Sequence, residues 1–204
     1  MHWIWSLVAG MTAQRVRIRQ PGPNKALYLT FDDGPHPVNT PKLLDALAAC
    51  NAKATFFLLG DNAKAFPELV RRIVDEGHAI ANHSMSHPNF RTLAPHAQLA
   101  QIDRADEVLA PHDGRQRHAF RPPRGAATLT TIAASLWRSQ PLVLWNFDSL
   151  DYKLPQPELQ SRLTSYQPTS GDILLFHDDM EGTWVTLTQL MPQWQAAGFQ
   201  IAKL

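Results

Sequence analysis

Seven short apolar runs, at residues 26–31, 54–59, 78–82, 118–121, 142–147, 172–176 and 199–202, alternate with helical patterns along the chain. That alternation is the strongest constraint the sequence places on its fold. Runs of this length suit strands, and strands that alternate with helices pair in parallel, because each crossover returns the chain to the start of the next strand. The expected architecture is a parallel sheet flanked by helices, open and doubly wound or closed into a barrel. Periodicity does not choose between the two.

The intervening segments carry helix punctuation. Thr40 and Pro41 read as a cap and a first-turn proline ahead of Leu43, Leu44 and Leu47 at helical spacing. Pro67 opens a helix over 68–76, and Gly77 closes it. Further helices are expected over 95–109, 128–139, 156–166 and 184–197. With 204 residues and no repeat or low-complexity linker, the chain reads as one domain, 26–204, preceded by a segment, 1–25, of no assigned role.

An apolar fraction of 44% and a charged fraction of 18% describe a globular protein. The net charge of +1 excludes the basic excess that nucleic-acid partners select. Neither glycine-rich phosphate fingerprint is present, which excludes the common nucleotide cofactors. The single cysteine, Cys50, lies in a helix-like pattern and reads as an inert buried thiol. Residues 1–11, MHWIWSLVAGM, are too short to span a bilayer and lack a basic leading segment. As written, the chain reads as a cytoplasmic monomer without a transmembrane segment; a truncated start would leave export open.

Polar residues gather just after the apolar runs: Asp32 and Asp33, then His83 and His87, Arg121, Asp148 and Asp151, and His177. Asp and Gly-Pro are ordinary turn formers, so Thr-Phe-Asp-Asp-Gly-Pro-His at 30–36 alone reads as a turn. Turn chemistry does not explain why five of the seven strand ends carry an ionisable side chain. In a parallel barrel all strand ends meet at one face, where residues distant in sequence converge. His83 and His87 stand four residues apart, and with the Asp33 carboxylate they make the three-ligand set of a catalytic zinc. Asp32 beside them can take a proton from water, and His177 can protonate a leaving group.

Five segments together resemble the polysaccharide deacetylase family, the NodB-homology or carbohydrate esterase family 4 enzymes. They are TFDDG at 30–34, NHSMSH at 82–87, RPPRG at 121–125, DSLDY at 148–152 and LFH at 175–177, in the family's order. The resemblance implies an α/β fold, a single-domain distorted (β/α)7 barrel with the active site at the C-terminal ends of the strands. It implies Asp32 as general base, Arg121 as the arginine that orients it, and Asp33, His83 and His87 as ligands of one divalent metal. That metal is zinc first, with cobalt or another divalent ion as substitutes. It implies His177 as general acid tuned by Asp151, the backbone N–H of Arg124 as an oxyanion donor, and Leu175 beside the acetyl methyl group. The implied reaction is hydrolysis of N-acetyl groups on amino sugars of a glycan, releasing acetate.

Two positions depart from the family pattern. Arg124 stands where an aromatic side chain is common, and Tyr152 where tryptophan is common. A guanidinium in the groove wall suits a carboxylate or phosphate, which points to a substrate with negative charge near the scissile group. His36 is expected at the substrate rim or in a tight turn. Asp178, Asp179 and Glu181 read as a solvated loop in preference to a source of acidity near His177, and Trp137, Trp145 and Trp194 as packing residues. Two other functions fit the residues: an O-acetyl esterase or another amide hydrolase on the same metal site, and a non-catalytic sugar-binding module.

Overall fold

The computed structural model describes residues 16–20 and 25–204; the apolar segment 1–11 lies outside them. The described chain opens with a short strand β1 (Val16–Arg17), then β2 (Ala26–Asp32) and α1 (Asn39–Ala49). β3 (Thr55–Leu58) leads into two consecutive helices, α2 (Gly60–Ala65) and α3 (Pro67–Asp75), and then β4 (Ala79–Asn82). The long α4 (Pro95–Asp113) and α5 (Leu129–Trp137) precede β5 (Leu142–Val143) and β6 (Phe147–Asp148). The chain finishes with α6 (Gln156–Ser165), β7 (Asp172–His177), α7 (Glu181–Ala196) and β8 (Gln200–Ala202).

All the strand ladders are parallel: β2 pairs with β3, β7 and β8, β3 with β4, β6 with β7, and β1 with β5. The run at 118–121 contributes only Phe120, which bridges Asn82 on one side and Leu142 on the other. The run at 142–147 is split, because the Asn146 side chain replaces a ladder carbonyl and accepts the Ile173 N–H at 2.7 Å. The sheet therefore curls through β7, β2, β3, β4, Phe120 and β5 into a distorted barrel, with a gap between β5 and the start of β7. Residues 16–20 fill that gap. Val16 and Arg17 pair with Leu142 and Val143, and Arg19 forms a bridge and an ion pair with Asp172 at the start of β7. Asp172 also accepts hydrogen bonds from Tyr166, from Asn146 at 2.8 Å and from the Thr169 N–H at 2.8 Å.

Both faces of this sheet are covered, so strand parity sorts side chains between two cores rather than between core and water. Leu27, Leu29 and Phe31 of β2, with Leu174 and Phe176 of β7, pack outward against Leu43, Leu44 and Leu47 of α1 and Leu187, Leu190 and Met191 of α7. Phe31 lies 5.2 Å from Phe56 and 5.8 Å from Phe176, centroid to centroid. The opposite parity, Ala26, Tyr28, Phe57, Ala81, Val143 and Ile173, fills the barrel interior.

Helix boundaries differ from the sequence expectation where tertiary contacts take over. Thr40 is not the cap of α1. The helix begins at Asn39, and the His36 imidazole accepts the N–H groups of Val38 and Asn39 at 3.3 and 3.2 Å in place of a capping hydroxyl. α4 runs on from the expected end at 109 to Asp113, where Gly114 ends it in the left-handed conformation, φ 76°. α2 has no counterpart among the expected helices. Cys50, at the end of α1, is half-buried, and burial pushes its thiol pKa up. Trp194 is buried in the outer core as expected, but Trp137, expected on a core face, is 85% exposed. Among the described residues, no helix is long and apolar enough to cross a membrane.

The outer core dictates stability. Leu29→Ala, at a fully buried position between β2 and its helices, should cost about 2–5 kcal/mol in urea unfolding; a loss under 1 kcal/mol would mean the site is not packed as described.

Candidate active site and metal centre

The parity that fills the barrel also sets the site. Counting along β2 from Tyr28 and Thr30, Asp32 is the next residue to face the interior, and along β7 from Ile173 the next are Leu175 and His177. Asp32 and His177 are register partners on these neighbouring strands. They therefore stand side by side at the mouth, a strand spacing apart, on the two strands that share the longest ladder.

Beyond the strand ends the backbone turns sharply. Asp33, Ser84 and His87 have φ of 73°, 75° and 56°, a region that non-glycine residues occupy at a cost. Local hydrogen bonds hold these turns. The Asp33 carbonyl accepts from the Asn62 amide at 2.7 Å, the Ser84 N–H donates to Asn82 Oδ1 at 2.8 Å, and the His87 N–H donates to Ser84 Oγ at 3.1 Å.

The turns bring three side chains together. Asp33 Oδ1 lies 3.5 Å from Nε2 of both His83 and His87, and the three donor atoms fall within 4.8 Å of one another. Asp33 Oδ1 is buried and receives no hydrogen bond. The His83 Nδ1–H donates to the Arg121 carbonyl at 2.8 Å, which directs the Nε2 lone pair at the cluster. Burial lowers the His83 pKa against the pull of Asp32 and Asp33, favouring the neutral, ligating imidazole. An orphaned carboxylate oxygen facing two imidazole nitrogens fits a divalent cation. Asp33, His83 and His87 are the residues that can hold it.

Asp32 stands beside this cluster without joining it. Its Oδ1 accepts from Arg121 Nη1 at 2.7 Å, and its Oδ2 lies 3.6 Å from His83 Nε2. Arg121 is fully buried; it also donates to Thr30 Oγ1 at 2.8 Å and to the carbonyls of Val143 and Leu144 at 3.2 and 3.0 Å. Across the mouth, His177 Nδ1–H donates to Asp151 Oδ1 at 2.8 Å, leaving Nε2 for the cavity. Asp151 Oδ2 accepts from the His177 N–H at 2.7 Å and from Thr183 Oγ1 at 2.6 Å. Burial alone would lower the His177 pKa, but the hydrogen bond and charge of Asp151, with Asp32 and Asp33, raise it to about 9.

Asp32, Asp33, His83, His87 and His177 line one cavity of about 500 Å³ at the barrel mouth, with Leu175, Tyr152 and Arg124 in its walls. The Tyr152 ring meets the His177 imidazole edge-on at 5.0 Å. Arg124 is exposed, held at φ 56° between Pro123 and Gly125, and its guanidinium has no partner among the described residues. Trp145 packs against the inner core as expected and also lines the cavity, where Asp148, Gly125 and Met180 join it. A Cβ on Gly125 would approach the Trp145 ring to 2.8 Å, so the Arg-Pro-Pro-Arg-Gly turn rests directly on that indole.

His36 does not line the cavity; its imidazole caps α1, and these contacts match the turn reading. Asp178 is not in a solvated loop but 1% exposed, hydrogen-bonded by Thr40 Oγ1 at 2.7 Å. Burial, joined by the charges of Asp179 and Asp33 and opposed by the Thr40 bond, raises its pKa to about 8. Thr183, Asn62 and Thr40 support the site without lying in any of the five motifs; no sequence signal marks Thr183 or Asn62, and Thr40 is marked only as a helix cap.

Comparison with known proteins agrees with this geometry. Residues 19–136 match the family model described as polysaccharide deacetylase. The peptidoglycan-N-acetylglucosamine deacetylase of Bacillus cereus is 35% identical over 89% of this chain and 68% of its own length. The chitooligosaccharide deacetylase of a Bradyrhizobium strain is likewise 35% identical, over 88% of this chain and 89% of its own. A crystal structure of a peptidoglycan N-acetylglucosamine deacetylase, in complex with 4-naphthalen-1-yl-N-oxidanyl-benzamide, superposes with a TM-score of 0.88 at 32% identity. It covers 98% of this chain and 94% of that one.

The His177–Asp151 pair gives a signed pH prediction. NMR titration of His177 should show a midpoint near 9 in the wild type and a lower one in Asp151→Asn. Because the folded pKa is raised above the ordinary 6.5, the pair's contribution to stability is complete below about that pH and is lost as pH rises through about 9. The stability gap between wild type and Asp151→Asn should therefore narrow over that window; a gap that widens contradicts the assignment.

Proposed function

The chain belongs to the polysaccharide deacetylase family, and from that premise we propose that it hydrolyses N-acetyl groups on N-acetylglucosamine-type units of a glycan, releasing acetate and a free amine. The observation that carries this reading is the grouping in one cavity of a metal-ligand trio with a carboxylate on one side and an imidazolium on the other. Two imidazole nitrogens and one carboxylate oxygen are the donor set of a three-ligand catalytic zinc, so zinc is the cation assigned to Asp33, His83 and His87. Bound there, it would polarise the acetyl carbonyl and acidify a water.

The chain's own residues divide the remaining work. Asp32 is assigned as general base: Arg121 occupies Oδ1 and leaves Oδ2 facing the cluster to take a proton from the attacking water. The Arg124 N–H donates to the oxygen on which negative charge develops, a contribution of about 3 kcal/mol when the donor is well aimed. Leu175 and Tyr152 wall the space for the methyl group. His177 Nε2 gives its proton to the departing nitrogen, and a pKa of about 9 keeps that proton available at neutral pH. An amide nitrogen leaves only when protonated, which is why a buried, doubly supported acid favours amide hydrolysis over the transfer of a better leaving group. A sugar-binding module without catalysis has no use for either Asp32 or His177.

Arg124 refines the substrate. A cation in the cavity wall with no partner among the described residues suits a carboxylate on the sugar adjoining the scissile group, as in the glycan strands of peptidoglycan, more than a neutral chitooligosaccharide.

Both assignments are testable on acetate release by the zinc-loaded protein. Asp32→Asn should lower kcat by at least about 100-fold with metal content unchanged; near-wild-type turnover would remove Asp32 from the reaction. Arg124→Gln should reduce the ratio of kcat/KM for carboxylate-bearing over neutral oligomers by about tenfold, the size of one charge-assisted hydrogen bond. An unchanged ratio would show that the substrate's charge is not read there.

A further inference from the structure

Behind the site, on the side of α4, lies a buried polar chain that none of the assigned roles uses. His118 is 2% exposed, and both its ring nitrogens face carboxylates: Nδ1 is 3.0 Å from Asp106 Oδ1 and Nε2 is 3.1 Å from Asp113 Oδ1. Only an imidazolium donates from both nitrogens at once. Burial alone would lower its pKa, yet Asp106 and Asp113 reverse the shift and raise it.

Asp106 is 3% exposed and is the junction of the chain. Its Oδ1 also accepts from the His118 N–H at 3.1 Å and from Asn82 Nδ2 at 2.9 Å, and its Oδ2 accepts from Gln140 Nε2 at 2.8 Å. Asn82, fully buried at the end of β4, passes the constraint on. Its second amide hydrogen goes to the Ile102 carbonyl at 2.9 Å, and its Oδ1 accepts the N–H of Ser84. Ser84 Oγ in turn accepts the His87 N–H. The Asn82 backbone N–H donates to the Ala119 carbonyl at 2.8 Å, and its carbonyl accepts the Arg121 N–H at 2.9 Å. The Arg121 carbonyl then fixes the tautomer of His83.

Every hydrogen-bonding atom of the Asn82 side chain is thus committed: Nδ2 is held by Asp106 and the Ile102 carbonyl, while Oδ1 leads through Ser84 to His87, and the Asn82 backbone carbonyl leads through Arg121 to His83. Fold stability alone does not require a fully buried amide at that point, and an apolar residue there would bury more cheaply than an ionic chain. We propose that Asp106, clamped by the His118 imidazolium and extended to Asp113, is a positioning residue for the cation site, acting through Asn82 on both histidine ligands. The inference rests on the reading that Asp33, His83 and His87 hold the cation.

The test is zinc affinity of the folded full-length chain, measured by competition with a chromophoric chelator, beside the visible spectrum of the cobalt-loaded protein. Asp106→Asn keeps the shape but removes the charge that holds His118. It should weaken zinc binding by about 10- to 100-fold, the range for groups that orient metal ligands, and should move the cobalt bands. Leu163→Ala, at a fully buried position in the outer core, should lower stability while leaving zinc affinity and the cobalt spectrum as in the wild type. If Asp106→Asn does not fold, Asp113→Asn at the outer end of the chain should show the same two changes, smaller in size. Wild-type affinity and an unaltered cobalt spectrum in the folded variant would overturn the positioning role. A wild type whose zinc affinity is indifferent to His87→Ala would instead overturn the cation site itself.

Discussion

The mouth of this barrel is organised around a buried ion pair. Arg121 and Asp32 are both withdrawn from water, and such a pair survives only if the desolvation of two charges, several kcal/mol each, is offset in place. Here the guanidinium spends its donors on Asp32, Thr30 and two carbonyls of the segment 143–144, and its face lies 4.1 Å from the Phe57 ring centroid. Those partners belong to β2, β3 and the β5 region, so the one side chain ties together strands that ladder hydrogen bonds alone leave poorly closed. It also determines which oxygen of Asp32 is free. The closure of the fold and the orientation of the base have one cause.

Much of this was legible in the sequence because it follows from period-two geometry. Asp32 and His177 end their strands in phase with interior residues, and a parallel sheet gives them a common face. The Asp33, His83 and His87 cluster follows from motif and position. Less legible were features fixed by contacts between distant segments. Thr40 reads as a cap by local chemistry, but His36 takes that task and leaves the hydroxyl to Asp178, 138 residues away. Asp178 reads as a loop acid because nothing local signals that Gly34 leaves no room between them: a Cβ there would come within 2.0 Å of its carboxylate. The strand at Val16–Arg17 is two residues long and pairs with a partner more than 120 residues later, beyond the reach of any periodicity argument. Trp145 and Trp137, both expected to pack, part ways, one against the inner core at the cavity wall and the other 85% exposed, because an indole's place depends on which neighbours reach it, and these neighbours come from other elements.

Backbone strain has a consistent address. Of the seven non-glycine residues with positive φ among the described residues, Asp33, Ser84, His87, Arg124 and Leu150 lie in the loops around the mouth. Such conformations cost about 1–3 kcal/mol each, and side-chain hydrogen bonds hold most of them, including Asp148 Oδ1 on the Leu150 N–H at 2.9 Å. The cost is met during folding. No part of it remains to be met when a substrate arrives, so ligands and proton-transfer groups stand ready rather than being gathered by binding.

The parallel pairing of β1 with β5 has a consequence for orientation. Since Val16 lies beside Leu142, at the start of β5, the chain enters the barrel at its floor, and the mouth opens on the opposite end. Val16 therefore stands at the pole opposite Asp32, His177 and the cation ligands, so a label placed at that position lies far from the groups that meet the substrate.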